Sequence, residues 1–138
     1  MAGRVVLDTN VLVSALINAF GAPGRVLDLA LRGDLIVAYD DRILAEWREV
    51  LRREKFGFTP ANVNALLEFI EHEGVKVNPP VLNAELPDPD DLPFLETAAA
   101  ADATLITGNL KHYPPESRRG AEVTGPKTFL EILTGDTS

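Results

Sequence analysis

The stretch that most limits what this chain can fold into is Arg4–Leu16, RVVLDTNVLVSAL. Val5, Val6 and Leu7 form a short apolar run, the mark of a buried strand. From Val11 the apolar residues return at helical spacing as Val11, Leu12, Ala15 and Leu16, so strand hands over to helix at Asp8–Asn10. A strand that turns into a helix points to an α/β sheet, in which ligands gather outside the carboxyl ends of the strands. A carboxylate at that point is costly to desolvate and needs a partner, a helix N-terminus or a cation. Capping is the commoner use of such residues, and on this stretch alone it is the plain reading of Asp8.

The rest of the chain repeats the alternation. Leu35–Ala38 reads as a second strand, and Asp41–Arg53 as a helix whose apolar stripe runs through Ile43, Leu44, Trp47, Val50 and Leu51. Glu46 lies on the flank of that stripe, about 100° from its centre. Asn18–Gly24 reads as a loop, Arg25–Leu31 as a short helix and Ala61–His72 as another. Val75–Val77 reads as a strand, and the proline-rich, acidic segment Asn78–Pro93 as a long loop. Phe94–Ala101 is an alanine-rich helix, Thr104–Thr107 a strand and Gly108–Arg119 a basic loop with one helical turn. Ala121–Thr124 and Lys127–Leu133 supply a last strand and helix. Alternating strands and helices imply a parallel sheet covered on both faces.

The 138 residues suffice for one domain with a real core. The chain has no cysteine, which excludes thiolate catalysis, a disulfide framework and a zinc ribbon. No apolar run reaches membrane-spanning length and no signal peptide is visible, so a cytoplasmic protein with no membrane partner is expected. The net charge of −8 argues against a protein that coats nucleic acid by neutralising phosphates. It leaves room for a nuclease, because clustered carboxylates hold catalytic dications.

Such a cluster is visible. Glu46 comes after the second strand, Asp91 opens the alanine-rich helix and Asn109 follows strand Thr104–Thr107, so all three share Asp8's position at one edge of a parallel sheet. Crowded carboxylates repel and stay partly protonated unless a cation neutralises them. Each residue has a plainer use: Asp90 as a helix cap, Asp88 and Asn109 as turn residues, Glu46 on a solvated flank, Trp47 in the core, His72 at a helix end. Ser14 and Thr9 suit local hydrogen bonding, with Thr9 placed to orient Asp8. Lys111, His112, Arg118 and Arg119 suit a solvated loop, or a rest for an RNA backbone beside an acidic site.

In VVLDTNVLVSAL (Val5–Leu16), LAEWREVL (Leu44–Leu51) and DPDDLPFLETAAAADATLITGN (Asp88–Asn109), the chain resembles the PIN-domain ribonucleases, especially the VapC-like toxins of type II toxin–antitoxin pairs. The resemblance spans about Val5 to Leu133. It implies a single PIN-like domain over residues 1–138, an α/β three-layer sandwich with a central parallel sheet flanked by helices. It implies Asp8, Glu46 and Asp91 as the family's acids and metal ligands, with Asn109 in the fourth catalytic position and Thr9 and Thr107 as secondary site candidates. The implied activity is Mg²⁺- or Mn²⁺-dependent endoribonuclease. The implied partners are RNA, a cognate antitoxin and a second copy of the chain. Asn109 stands where the family often has Asp, and His112 where a further Asp commonly follows; each departure removes a possible negative ligand of a second cation. Two other readings fit the carboxylates. One is a phosphoacceptor receiver domain with Lys127 as its lysine, though no lone Asp ends a central strand. The other is a non-catalytic PIN-like binding module that has lost a metal site.

Overall fold

The computed structural model describes residues 3–135. Val5, Val6 and Leu7 are all buried in strand β1 (Gly3–Leu7), as a parallel sheet covered on both faces requires. The other strands are β2 (Leu35–Tyr39), β3 (Val75–Lys76), β4 (Thr104–Ile106) and β5 (Val123–Thr124). They form one parallel sheet in the order β3-β2-β1-β4-β5, with Val5 opposite Val37 on one side and Thr104 on the other.

The helices are α1 (Thr9–Ile17), α2 (Ala22–Leu31), α3 (Asp41–Leu51), α4 (Pro60–Glu73), α5 (Leu92–Ala101) and α6 (Pro126–Thr134). Helix α2 packs on α1, α6 and β2, while α5 lies along β1, β2 and β4. The chain moves one way along the sheet from β1 to β3 and then jumps back through α5 to β4. With right-handed crossovers, that reversal sends α5 to the face opposite α1 and α2. The expected α/β sandwich with helices on both sides is what forms.

Several boundaries differ from the sequence reading, for local reasons. Helix α2 starts at Ala22 rather than Arg25, because Pro23 occupies its first turn, where a missing N–H costs nothing. Helix α5 likewise starts at Leu92, with Pro93 in its first turn. The basic loop makes two 3₁₀ turns, Leu110–His112 and Pro115–Ser117, instead of one. At Gly24 a Cβ would lie 2.3 Å from the Ala19 carbonyl oxygen, so only glycine lets α2 fold back this closely on the end of α1. The apolar residues Val63, Leu66, Leu67 and Ile70 of α4 are buried, whereas Ile17, Phe20 and Leu31 on α1–α2 stay exposed. No single helix among the described residues is long and apolar enough to cross a membrane.

Candidate active site at the carboxyl edge of the sheet

Strands β1 and β4 are neighbours, and the chain leaves them toward opposite sides of the sheet. That is the topological switch point at which open α/β sheets bind ligands. Asp8 sits there, 5% exposed, its N–H bonded to the Ile106 carbonyl at 3.0 Å. Its backbone carbonyl starts α1 by accepting from Val11 and Leu12, but its side chain makes no cap bond. Oδ2 instead accepts the Thr107 hydroxyl at 2.9 Å and the Tyr113 hydroxyl at 3.2 Å. The capping reading of Asp8 is therefore replaced by one in which β4 and its following loop hold the carboxylate.

Helix α3 brings Glu46 to the same edge. Thr9, placed by the sequence to orient Asp8, donates its hydroxyl to Glu46 Oε2. Burial raises the Glu46 carboxyl above its ordinary range; the Thr9 hydroxyl counteracts this and the charge of Asp8 adds to it.

Asp91 ends a 3₁₀ turn, Pro89–Asp91, and stands at the N-cap of α5 without capping it. The local capping falls to Asp88, whose carboxylate accepts the Asp90 N–H at 2.9 Å, and not to Asp90. Asp91 Oδ2 lies 2.8 Å from His112 Nδ1 but, though buried, receives no hydrogen bond of good geometry; the two groups are paired by distance alone. Burial, followed by the charge of Asp8, pushes the Asp91 carboxyl up to about 6 against the opposing effect of His112.

The raised Asp91 carboxyl gives a pH dependence with a definite sign. Its ordinary value is 3.8, so between about pH 4 and 6 the folded protein keeps a proton that the unfolded chain has released. In metal-free protein this contribution to stability falls as pH rises through that window and stays low above it. Asp91→Asn is therefore expected to raise the thermal midpoint in EDTA more at pH 7 than at pH 5, and equal gains would show that Asp91 is ionised throughout.

The fourth position is reached indirectly. The Asn109 N–H donates to the Thr107 hydroxyl at 3.0 Å, and its carboxamide meets His112 Nε2 at 2.8 Å. Of the four basic loop residues only His112 touches the acids. Arg118 is bonded to the Tyr113 carbonyl and Arg119 grips the Asn83 carbonyl through two nitrogens, at 3.0 and 2.7 Å, while Lys111 is exposed. Lys127 is exposed at the start of α6.

Two features escaped the sequence reading. Tyr113 is fully buried against Asp8, and nothing local marks its hydroxyl as a partner 105 residues away. At the end of β2, Asp40 caps α3 through the Ile43 N–H, and Arg42 joins it to buried Glu96, which in turn accepts the Leu82 N–H. Asp40 was legible as a cap, three residues before Ile43. Glu96 sits in an alanine-rich helix, and nothing in its local sequence marks it as buried.

The donor set suits a hard dication: three carboxylates, of which Glu46 and Asp91 are raised by burial and by the charge of Asp8, and Asp91 has a buried oxygen lacking an aligned donor. Among the described residues no three His, Asp or Glu side chains converge closely enough to enclose an ion as they stand, so binding one requires at least one of them to turn inward.

A family model described as PIN domain matches residues 4–111. The chain is 33% identical over 139 residues to uncharacterized protein MJ1680 of Methanocaldococcus jannaschii, covering 93% of this chain and 90% of that one. In fold it is similar to FitAcB from Neisseria gonorrhoeae, with a TM-score of 0.57 and 16% identity, covering 89% of this chain and 98% of that one. It is also similar to VapBC2 from Rickettsia felis, solved bound to a DNA fragment from its promoter, with a TM-score of 0.54 and 17% identity over 87% of this chain and 96% of that one. All three acids lie within the matched span, and on that family match the chain belongs to the PIN-domain family.

Proposed function

We propose that this protein is a metal-dependent endoribonuclease. The observation that carries the reading is the gathering of Asp8, Glu46 and Asp91 at the switch point, with the Glu46 and Asp91 carboxyls raised by burial and by the charge of Asp8. Asp8 and Asp91 would hold Mg²⁺ or Mn²⁺, with Glu46 direct or through water. A dication bound there lowers the pKa of a coordinated water and polarises the scissile phosphate. The Thr107 and Tyr113 hydroxyls occupy Asp8 Oδ2, so they fix the carboxylate and leave Oδ1 available. Thr9 turns Glu46 toward the cluster. Lys111, exposed in the loop after β4, would meet an RNA phosphate.

The fold likeness to FitAcB and VapBC2 agrees with a further step, a toxin of a toxin–antitoxin pair with an antitoxin as partner; the cytoplasmic location and the homodimer belong to this proposal through the sequence resemblance alone. The exposed residues Ile17, Phe20 and Leu31 favour the α1–α2 side over α4 as the contact surface. The test is cleavage of a labelled single-stranded RNA pool with millimolar Mg²⁺ or Mn²⁺. Defined fragments that vanish with EDTA are expected. Intact RNA at every metal concentration would overturn the nuclease reading in favour of the non-catalytic module, which the neutral Asn109 otherwise recommends.

A further inference from the structure

The imidazole of His112 stands between two groups of the acid cluster. Nδ1 is 2.8 Å from Asp91 Oδ2, and Nε2 is 2.8 Å from Asn109 Nδ2, the amide nitrogen. A histidine that ligates a metal through one ring nitrogen almost always has the other held by a hydrogen-bond acceptor, which sets its tautomer and ring plane. The two ends of a carboxamide exchange by a simple flip, so Asn109 can offer its oxygen to an Nε2–H while Nδ1 presents its lone pair to the site. Asn109 is itself fixed, through its N–H on the Thr107 hydroxyl that also holds Asp8.

Resting on the metal site read above, we propose that His112 is a nitrogen ligand of that metal, acting through Nδ1 beside Asp91, with Asn109 as the residue that positions its ring. The two departures of the sequence then act as a pair: the loop histidine replaces a carboxylate as ligand, and the neutral carboxamide replaces a carboxylate that would otherwise have bound the ion. An imidazole among carboxylates shifts preference from Mg²⁺, which wants oxygen ligands and retained waters, to first-row transition-metal dications such as Mn²⁺ and Co²⁺. Among the described residues no three acidic or histidine side chains enclose an ion as they stand, so Asp91 and His112, 2.8 Å apart, would both have to face the ion for His112 to hold it through Nδ1.

The test is pulsed electron paramagnetic resonance on the whole protein loaded with Mn²⁺, which reads a directly bound nitrogen as ¹⁴N modulation. The wild type is expected to show it, to change pattern when histidine is ¹⁵N-labelled, and to lose it in His112→Gln while His72→Gln leaves it unchanged. By calorimetry His112→Gln is expected to weaken Co²⁺ binding about tenfold or more and to move Mg²⁺ binding less than about twofold. Mn²⁺ bound without nitrogen modulation overturns the proposal, as does equal loss of Co²⁺ and Mg²⁺ affinity. Nitrogen modulation without RNA cleavage supports the ligand and overturns the nuclease reading alone; no Mn²⁺ binding at millimolar metal overturns both.

Discussion

Replacing Asp8 with asparagine is expected to take metal-dependent RNA cleavage below detection while leaving the fold intact. The carboxylate is 5% exposed, lies at the switch point between β1 and β4, and is oriented by two hydroxyls on one oxygen. Asparagine can still accept those hydroxyls through its own oxygen, so the packing around Thr107 and Tyr113 survives. The negative charge does not survive, and with it goes one of the three carboxylates that would attract a dication at this edge. The charge of Asp8 also helps to raise the carboxyls of Glu46 and Asp91, so its removal is expected to bring the Asp91 titration down from about 6 and to raise the heat stability of metal-free protein. Cleavage and circular dichroism on the same preparation decide the matter. Full activity in a folded Asp8→Asn protein would remove Asp8 from the site.

The largest expected loss of stability lies one residue from Glu46. Trp47 is fully buried on α3, and its indole N–H is buried without a hydrogen-bond partner. Trp47→Ala removes the biggest side chain of the core and leaves a cavity, at a cost of roughly 3–5 kcal/mol. Trp47→Phe also opens space, but it deletes an unpaired donor whose burial costs about 1–3 kcal/mol. The phenylalanine variant is therefore expected to lose less than half of what the alanine variant loses in urea titrations. Similar losses in the two would mean that the orphaned N–H is already satisfied in solution, by water. Activity is expected to fall in the alanine variant as well, since α3 carries Glu46.

The parts of the fold that follow from short-range pattern were legible in the chain. The hand-over at Asp8–Asn10, the apolar stripe of α3 and the alanine-rich α5 all rest on periodicity within one element. The misses at α2 and α5 came from Pro23 and Pro93, which read as loop residues but suit a first helical turn. The site was legible as a set of acids and as a resemblance, not as a set of contacts. Thr9 bonds Glu46 rather than Asp8, and Arg119 holds the Asn83 carbonyl. Those partners are 37 and 36 residues away, and nothing in the local sequence of either side specifies them. The same holds for Glu96, whose burial depends on Arg42 and Leu82 arriving from two other elements.

The two hydroxyls that set Asp8 come 99 and 105 residues after it. At ribosomal speeds of about 5–20 residues per second, roughly 5–20 s pass between synthesis of Asp8 and synthesis of Tyr113. Strand β4, the neighbour that closes one side of β1, is made in the same late interval. A nascent chain therefore carries its first acid long before it can hold it in place, and a message broken upstream of the Tyr113 codon yields a polypeptide with no assembled centre.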